Sequence, residues 1–253
     1  MVERRQQPPR AQAARAQSNA RFYSALAIVA VVGVAAIGYV ATHKQSAAAS
    51  VPTTPPDPST LGAAKGHVLG NATAPITIME FADFECPACG TFAVVTEPDV
   101  RARLINTGRV NYQFYDYPLP MHKNTWYASE AAACAEDQGK FWDMHDRLFQ
   151  GQNDWNGEAT DNPASVFKGY AKELSLDVDK FQHCYDTQAH LRDIQANQAE
   201  GNRRHVNQTP TFVIGARQIP GALGFDQLKA YVDSASPTPA PATAPAPAPA
   251  RTK

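Results

Sequence analysis

The sequence lacks an excess of charge of either sign, an ordered histidine pattern and a second closely spaced pair of cysteines. Its 253 residues carry a formal net charge of −1 and the pI is near 6.6, so no basic field is available to hold nucleic acid and that class of partner is excluded. The seven histidines stand at no metal-ligand spacing. We therefore predict no metal site and no cofactor, and we assign no histidine a catalytic role.

A long apolar run follows a basic N-terminal segment. Residues 1–21 hold five arginines and one acid, and residues 22–40 carry no charge. An apolar helix of about twenty residues matches the thickness of a bilayer core, and the run has no polar stripe of the kind that marks a buried helix in a globular core. We predict a single transmembrane anchor over residues 22–41. Removal of this segment as a signal peptide, with cleavage near residues 47–49, is the alternative.

Charge and composition around the run predict how the rest of the chain is organised. Arginines before the run and few positive charges just after it place residues 1–21 in the cytoplasm, so the remainder lies outside the cell membrane, on the periplasmic or extracytoplasmic side. Residues 42–65, rich in Ala, Ser, Thr and Pro, predict a flexible linker. Residues 66–234 have the size of one domain. Residues 235–253 form an Ala/Pro-rich tail that we expect to be disordered.

The order of periodic segments in the domain predicts an α/β fold with a mixed sheet. Residues 74–84 indicate a buried central strand, Pro87 begins an amphipathic helix, and residues 110–115 indicate a second strand. A helical insert at about 122–205 follows, then a hairpin at 211–219 and a helix at 225–232. Within the insert we predict helices at 128–137, 141–149, 163–174, 179–186 and 189–203. We predict that the apolar face of the helix that begins at Pro87 is formed by Phe92, Val94, Val95, Val100 and Leu104.

Cys86-Pro87-Ala88-Cys89 carries the chemistry that the sequence predicts. If Cys86 caps the helix, its sulfur lies at the positive end of the helix dipole, which favours the nucleophilic thiolate. Cys89 lies one turn deeper on the same face, within reach of a disulfide after local adjustment. A zinc site would need two more nearby ligands, and a Cys-His hydrolase would leave Cys89 unexplained. We interpret the pair as a redox-active dithiol.

These residues resemble the DsbA-like branch of the thioredoxin superfamily, in its membrane-anchored bacterial form. The resemblance is carried by the segments at residues 70–75, 78–84, 86–89, 133–134, 139–142, 145–146 and 209–212. It implies a thioredoxin fold with a helical insertion and a protein-disulfide oxidase acting on reduced secreted or membrane proteins. It also implies reoxidation by a quinone-linked membrane partner, of the DsbB or VKOR type.

The resemblance assigns roles to three further residues. It implies that Pro210 is cis and packs beside the cysteines, and that Thr209 contacts the substrate. Glu80, six residues before Cys86, corresponds to an acid that shuttles protons to the buried thiol, since burial would raise its pKa. The alternative is that Glu80 is an acid facing the rim of the domain. We expect Glu85 to be solvated.

Cys134 and Cys184 lie on predicted helices of the insert. In an oxidising compartment a disulfide is the default for such a pair, and it would close a loop of about fifty residues for a gain of roughly 4 kcal/mol. The alternative is two buried free thiols that pack as small apolar residues. A structural disulfide is our prediction.

The direction of electron flow stays open at this point. The Pro-Ala pair between the cysteines departs from the Pro-His pair of the strong oxidases in the resembling family, and alanine cannot stabilise the Cys86 thiolate as histidine can. A membrane-anchored reductase or isomerase of the same fold is therefore an alternative to the disulfide donor. A non-catalytic thioredoxin-like binding module is the third.

Overall fold

The computed structural model describes residues 57–235. The predicted anchor at 22–41, most of the linker at 42–65 and the tail after residue 235 lie outside the described residues. Between residues 57 and 235, no helix combines the length and the apolar character needed to cross a membrane.

A five-stranded mixed sheet forms the centre of the domain. Its strands are β1 His67–Leu69, β2 Ile76–Ala82, β3 Val110–Asp116, β4 Thr211–Ile214 and β5 Arg217–Pro220. They are arranged in the order β1-β3-β2-β4-β5. Only β2 and β3 run parallel, and the other neighbours are antiparallel. The predicted central strand and hairpin are confirmed, whereas β1 was not predicted.

The helix after β2 contains two wide turns. It begins as α1, Pro87–Thr91, passes through a π segment at Phe92–Thr96, continues as α2, Glu97–Val100, and ends in a second π segment at Arg101–Ile105. Pro98 has no N–H to donate to the preceding turn, which favours a local change of hydrogen bonding there. The predicted apolar face was wrong in part, because Val94 and Val95 are 50% and 70% exposed. Both lie in the first π segment, whose wider turn rotates them away from the side on which Phe92 and Val100 are buried.

Six helices form the insert and one closes the domain. They are α3 Thr125–Glu136, α4 Phe141–Gln150, α5 Gln152–Trp155, α6 Ala164–Glu173, α7 Val178–Thr187, α8 Leu191–Arg203 and, after the hairpin, α9 Phe225–Ser234. The five insert helices predicted from the sequence are present, and the short α5 was not predicted. Asp177 begins α7 by accepting a hydrogen bond from the Lys180 N–H at 3.1 Å, a standard N-cap.

The insert packs its own core and is crosslinked. Its buried cluster includes Trp155, Phe149 and Phe167, and it continues into Phe84 just before the cysteine pair. Cys134 of α3 and Cys184 of α7 form a disulfide, with their Cα atoms 5.8 Å apart. The alternative of two free thiols was wrong.

A buried imidazole connects β1 to the insert. His67 is in hydrogen-bond contact with Asp116 Oδ2 at 3.2 Å and with Glu136 Oε2 at 2.8 Å, and its ring stacks on Phe141 with the centroids 3.7 Å apart. Burial lowers the pKa of His67, but hydrogen bonds and charge from the two carboxylates outweigh it and raise the pKa to about 9. The charged imidazolium therefore persists at neutral pH.

We predict a stability loss at alkaline pH that depends on His67. Because the pKa is raised in the folded state, this contribution is complete below pH 6.5 and is lost as pH rises toward about 9. Its upper limit is about 3 kcal/mol. The free energy of urea unfolding, measured at pH 6, 7.5 and 9, should fall more steeply for the native chain than for His67→Asn. Parallel curves for the two proteins would contradict the assignment.

Candidate active site

Cys86 and Cys89 lie at the N-terminus of α1 with unequal access to solvent. Cys86 is the N-cap and Pro87 the first helical residue, as predicted. Both are free thiols; Cys86 is 7% exposed, whereas Cys89 is fully buried. A thiol or disulfide from outside can therefore meet only the Cys86 sulfur.

The surroundings of Cys86 favour its thiolate. A hydrogen bond from the Cys89 thiol lowers the pKa of Cys86, burial opposes this, and contact with the Thr209 side chain and the N–H groups of Cys89 and Ala88 lowers it further, to about 6. The helix N-terminus supplies those two N–H groups without any intrahelical partner for them. Alanine between the cysteines is therefore compatible with an acidic Cys86, because backbone groups stabilise the anion.

We predict that Cys86 titrates near pH 6. The ultraviolet absorbance of the thiolate, and the rate of alkylation by iodoacetamide, should both rise with a midpoint near pH 6 instead of the roughly 8.5 of a free cysteine. Cys86→Ser should remove the transition. A midpoint above pH 8 in the native chain would contradict the stabilisation of the anion.

Cys89 has the opposite electrostatic environment. Its pKa is raised well above the usual range, first by burial, then by the hydrogen bond it donates to Cys86 and by the charges of Cys86 and Glu80. A backbone hydrogen bond from Asp83 acts in the other direction. Cys89 therefore needs a proton when it leaves a disulfide and must lose one before it attacks.

Glu80 is the buried acid near this pair. It lies on β2 with its side chain 2% exposed, opposite Phe114 of β3 and Phe212 of β4. Burial raises its pKa well above the usual range, and the charges of Glu97 and Cys86 raise it further, against a hydrogen bond donated by the Tyr112 hydroxyl. A solvent-facing acid at the rim, the alternative interpretation, was wrong.

Thr209 and Pro210 lie beside Cys86. The peptide bond between them is cis, and the Cys86 thiol donates to the Thr209 carbonyl oxygen at 3.5 Å. The Pro210 carbonyl accepts from the Gly221 N–H at 2.8 Å. The loop before β4 thus places the Thr209 carbonyl against the nucleophile.

The prediction that Glu85 is solvated was wrong. Glu85 is 8% exposed, and its carboxylate accepts hydrogen bonds from the Asn124 and Gly157 N–H groups, each at 2.6 Å. Both donors belong to the helical insert. The residue before the nucleophile is therefore held by the backbone of a region that follows it by more than thirty residues.

Sequence reasoning missed the contact of His122 with the cysteine loop. His122 Nδ1 lies 2.7 Å from Asp83 Oδ2, and this hydrogen bond, opposed by burial, raises the pKa of His122 with help from the charges of Glu85 and Cys86. Parallel strands β2 and β3 end at the same edge of the sheet. That topology could have indicated that residues soon after β3 approach the loop soon after β2.

A second buried carboxylate lies behind Glu80. Glu97 is 1% exposed and pairs with Arg101 at 2.6 Å; Arg101 also pairs with Asp146 at 2.6 Å. His145, interpreted above only as an unassigned histidine, is fully buried and lies 3.8 Å from Glu97. Although Glu97, His145 and Asp146 have metal-ligand chemistry, both carboxylates are already paired with the Arg101 guanidinium.

Together these groups can carry out thiol–disulfide exchange. Cys86 is slightly exposed and has a lowered pKa, Cys89 is a buried partner with a raised pKa, and Glu80 is a buried acid whose charge contributes to raising it.

Comparison with known proteins identifies the family of the described region. A family model described as Thioredoxin (Thioredoxin_4) matches residues 63–234. The Na⁺/H⁺ antiporter NhaA 1 of Salinispora arenicola is 37% identical over 173 residues, which cover 68% of this chain and 25% of that protein. The chain thus spans about a quarter of the length of such relatives.

In two further comparisons the match covers most of the other protein. Disulfide bond formation protein D of Bacillus subtilis is 25% identical over 172 residues, covering 66% of this chain and 75% of that protein. The crystal structure of oxidised BdbD from Bacillus subtilis superposes with a TM-score of 0.59 at 23% identity, covering 68% of this chain and 96% of that chain. That structural likeness concerns the fold.

Proposed function

The chain belongs to the thioredoxin family, among its DsbA-like thiol:disulfide oxidoreductases, and we propose that it introduces disulfides into secreted or membrane proteins through Cys86 and Cys89. Its described domain has the α/β thioredoxin fold with a helical insertion. The observation that carries the proposal is the asymmetry of the pair: an accessible sulfur with a lowered pKa and a buried sulfur with a raised one.

In the proposed reaction the pair begins as a disulfide. A substrate thiolate attacks the Cys86 sulfur, the bond between Cys86 and Cys89 breaks, and Cys89 leaves with the electron pair. Because burial disfavours a Cys89 thiolate, the neutral Glu80 carboxyl supplies its proton. A mixed disulfide between substrate and Cys86 remains.

The second step releases the product. A second substrate thiolate attacks the substrate sulfur of the mixed disulfide, and Cys86 leaves as a thiolate. Since the pKa of Cys86 is about 6, it is a good leaving group at neutral pH. The substrate has lost two electrons and gained a disulfide, and the pair has become a dithiol.

The neighbourhood of Cys86 supports a role for Thr209 and Pro210 in holding the substrate. The Thr209 carbonyl lies 3.5 Å from the Cys86 sulfur, and we propose that the backbone of this loop pairs with an extended substrate segment during exchange. As partners we propose those that the family resemblance implies: reduced secreted or membrane proteins that give electrons, and a quinone-linked reoxidase in the membrane that removes them. The predicted anchor at 22–41 would hold the domain on the extracytoplasmic side.

The reduction potential of Cys86 and Cys89 tests the direction of electron flow. The full-length chain would be equilibrated with glutathione buffers at pH 7, alkylated, and the peptide with both cysteines quantified by mass spectrometry. A pKa of about 6 lies between the roughly 7 of thioredoxin and the roughly 3.5 of DsbA. We therefore expect a potential between about −270 and −120 mV. A value at or below about −270 mV would instead support the anchored reductase.

A further inference from the structure

The disulfide of the helical insert is surrounded by other metal-ligating groups. The sulfurs of Cys134 and Cys184 and a ring nitrogen of His190 all lie within 4.8 Å of one another. Asp137 Oδ2 is 3.0 Å from His190 Nε2 and 3.7 Å from the Cys184 sulfur. None of these residues belongs to the active site described above.

The four groups are a ligand set that zinc prefers. Structural zinc sites are tetrahedral and combine thiolates and imidazoles, and carboxylates also serve as ligands. Zn–S bonds of about 2.3 Å at tetrahedral angles require sulfurs about 3.8 Å apart. With the Cα atoms 5.8 Å apart, the two side chains can reach that separation by rotation about their own bonds once the disulfide is broken.

Two acidic side chains beside the cysteines favour a bound cation. Glu130 Oε1 lies 3.7 Å from the Cys134 sulfur and accepts a hydrogen bond from the backbone N–H of His190 at 2.9 Å. Asp137 lies against Cys184 on the other side. After reduction, a dication bound between the sulfurs would offset the negative charge of these neighbouring carboxylates.

A path for the ion is present in the fold. His190 lines an open cavity of about 190 Å³. Three acidic side chains, Asp116, Glu136 and Asp193, line it too, together with Lys65 and His67. His190 is itself 22% exposed at its side chain, whereas Cys134 is 1% exposed. Of the four proposed ligands, His190 is the one that an ion entering this cavity meets.

We propose that the insert binds one zinc ion, through Cys134, Cys184, His190 and Asp137, when the Cys134–Cys184 disulfide is reduced. The reductant is a dithiol: it donates two electrons and two protons, becomes a disulfide, and leaves two thiols on the insert. Zinc binding then releases those two protons. Oxidation by a disulfide reverses the sequence and expels the ion. The same two cysteines thus crosslink α3 and α7 either directly or through a metal.

Cobalt titration of the full-length chain tests the site. Cys86 and Cys89 are first replaced by alanine, so that every remaining thiol belongs to the insert. After reduction with a phosphine, Co²⁺ should bind at one equivalent, with a thiolate-to-cobalt charge-transfer band and the visible bands of tetrahedral cobalt. Zinc should displace it. The oxidised chain should show neither band.

Two histidine variants provide the control. His190→Ala should weaken Co²⁺ binding at least about tenfold, since loss of even a supporting residue costs that much at metal sites. His183→Ala should leave the affinity unchanged, because His183 lies on the exposed side of α7.

Three outcomes would overturn the proposal. They are absence of cobalt binding by the reduced chain, binding that His190→Ala does not weaken, and loss of helical circular dichroism on reduction that added zinc does not restore. A Cys134→Ser, Cys184→Ser variant that still gave the charge-transfer band would count against it as well.

Discussion

Serine at position 86 is expected to lower the rate of thiol–disulfide exchange by at least about a thousandfold, because a hydroxyl is neither a thiolate nor able to form a mixed disulfide. The substitution removes one sulfur at a helix cap and supplies a good capping side chain, so the domain should still fold. The measurement is oxidation of a reduced peptide dithiol by the preoxidised chain. Thr91→Ser, on the exposed side of the same helix, should react like the native protein.

The companion variant Cys89→Ser should behave differently. Cys86 remains accessible and acidic, so it can attack a substrate disulfide, but no resolving thiol lies behind it. A covalent complex should accumulate, visible as a mass increase that a reductant removes, and Cys86→Ser should give none. If Cys86→Ser carried out thiol–disulfide exchange at the native rate, every catalytic interpretation would be wrong, and the non-catalytic binding module would remain.

Glu80→Gln is expected to slow by about a hundredfold the step in which Cys89 leaves or attacks, within the range for loss of a positioned acid–base group. The amide keeps the volume of the carboxyl but cannot exchange a proton with Cys89. Rapid quenching with acid, followed by alkylation, separates formation of the mixed disulfide from its resolution. The rate should fall in each step in which Cys89 gains or loses a proton.

Stability separates this role from a structural one. The pKa of Glu80 is raised in the folded state, so the folded chain binds more protons than the unfolded chain, and stability falls as pH rises above the unfolded pKa. Glutamine removes that loss. Glu80→Gln should therefore be slower yet at least as stable as the native chain at pH 7. A variant that is destabilised, or one within twofold of the native rate, contradicts the proton-transfer role.

The sequence was informative where chemistry is local. Pro87 after Cys86 indicated a helix start, and β-branched residues before it indicated the central strand. Both are properties of short segments, so neighbours in the chain determine them. Cys134 and Cys184 were paired correctly because only two cysteines remained outside the close pair.

The features that the sequence could not predict depend on backbone groups that are distant in the chain. Strand β1 has three residues, too few for a periodic pattern. Glu85 is buried only because Asn124 and Gly157 donate to it, and no rule of composition brings those residues together. The groups that lower the pKa of Cys86, first the Cys89 thiol and then Thr209 and backbone N–H groups, could not be identified from the Pro-Ala pair, which offers no stabilising side chain.

The hydrogen bonds to Glu85 also bear on how such domains can be recombined. A buried carboxylate that loses a donor costs about 1.5 to 3 kcal/mol, so a transplanted insert must present N–H groups where Asn124 and Gly157 now stand. Gly157 cannot easily be replaced by a residue with a side chain, since an added Cβ would lie 2.9 Å from Glu85 Oε1. If a chimera combined the thioredoxin core of one protein with the helical insert of another, these hydrogen bonds would be lost first. The loop that carries Cys86 would therefore be the first part of the chimera to be destabilised.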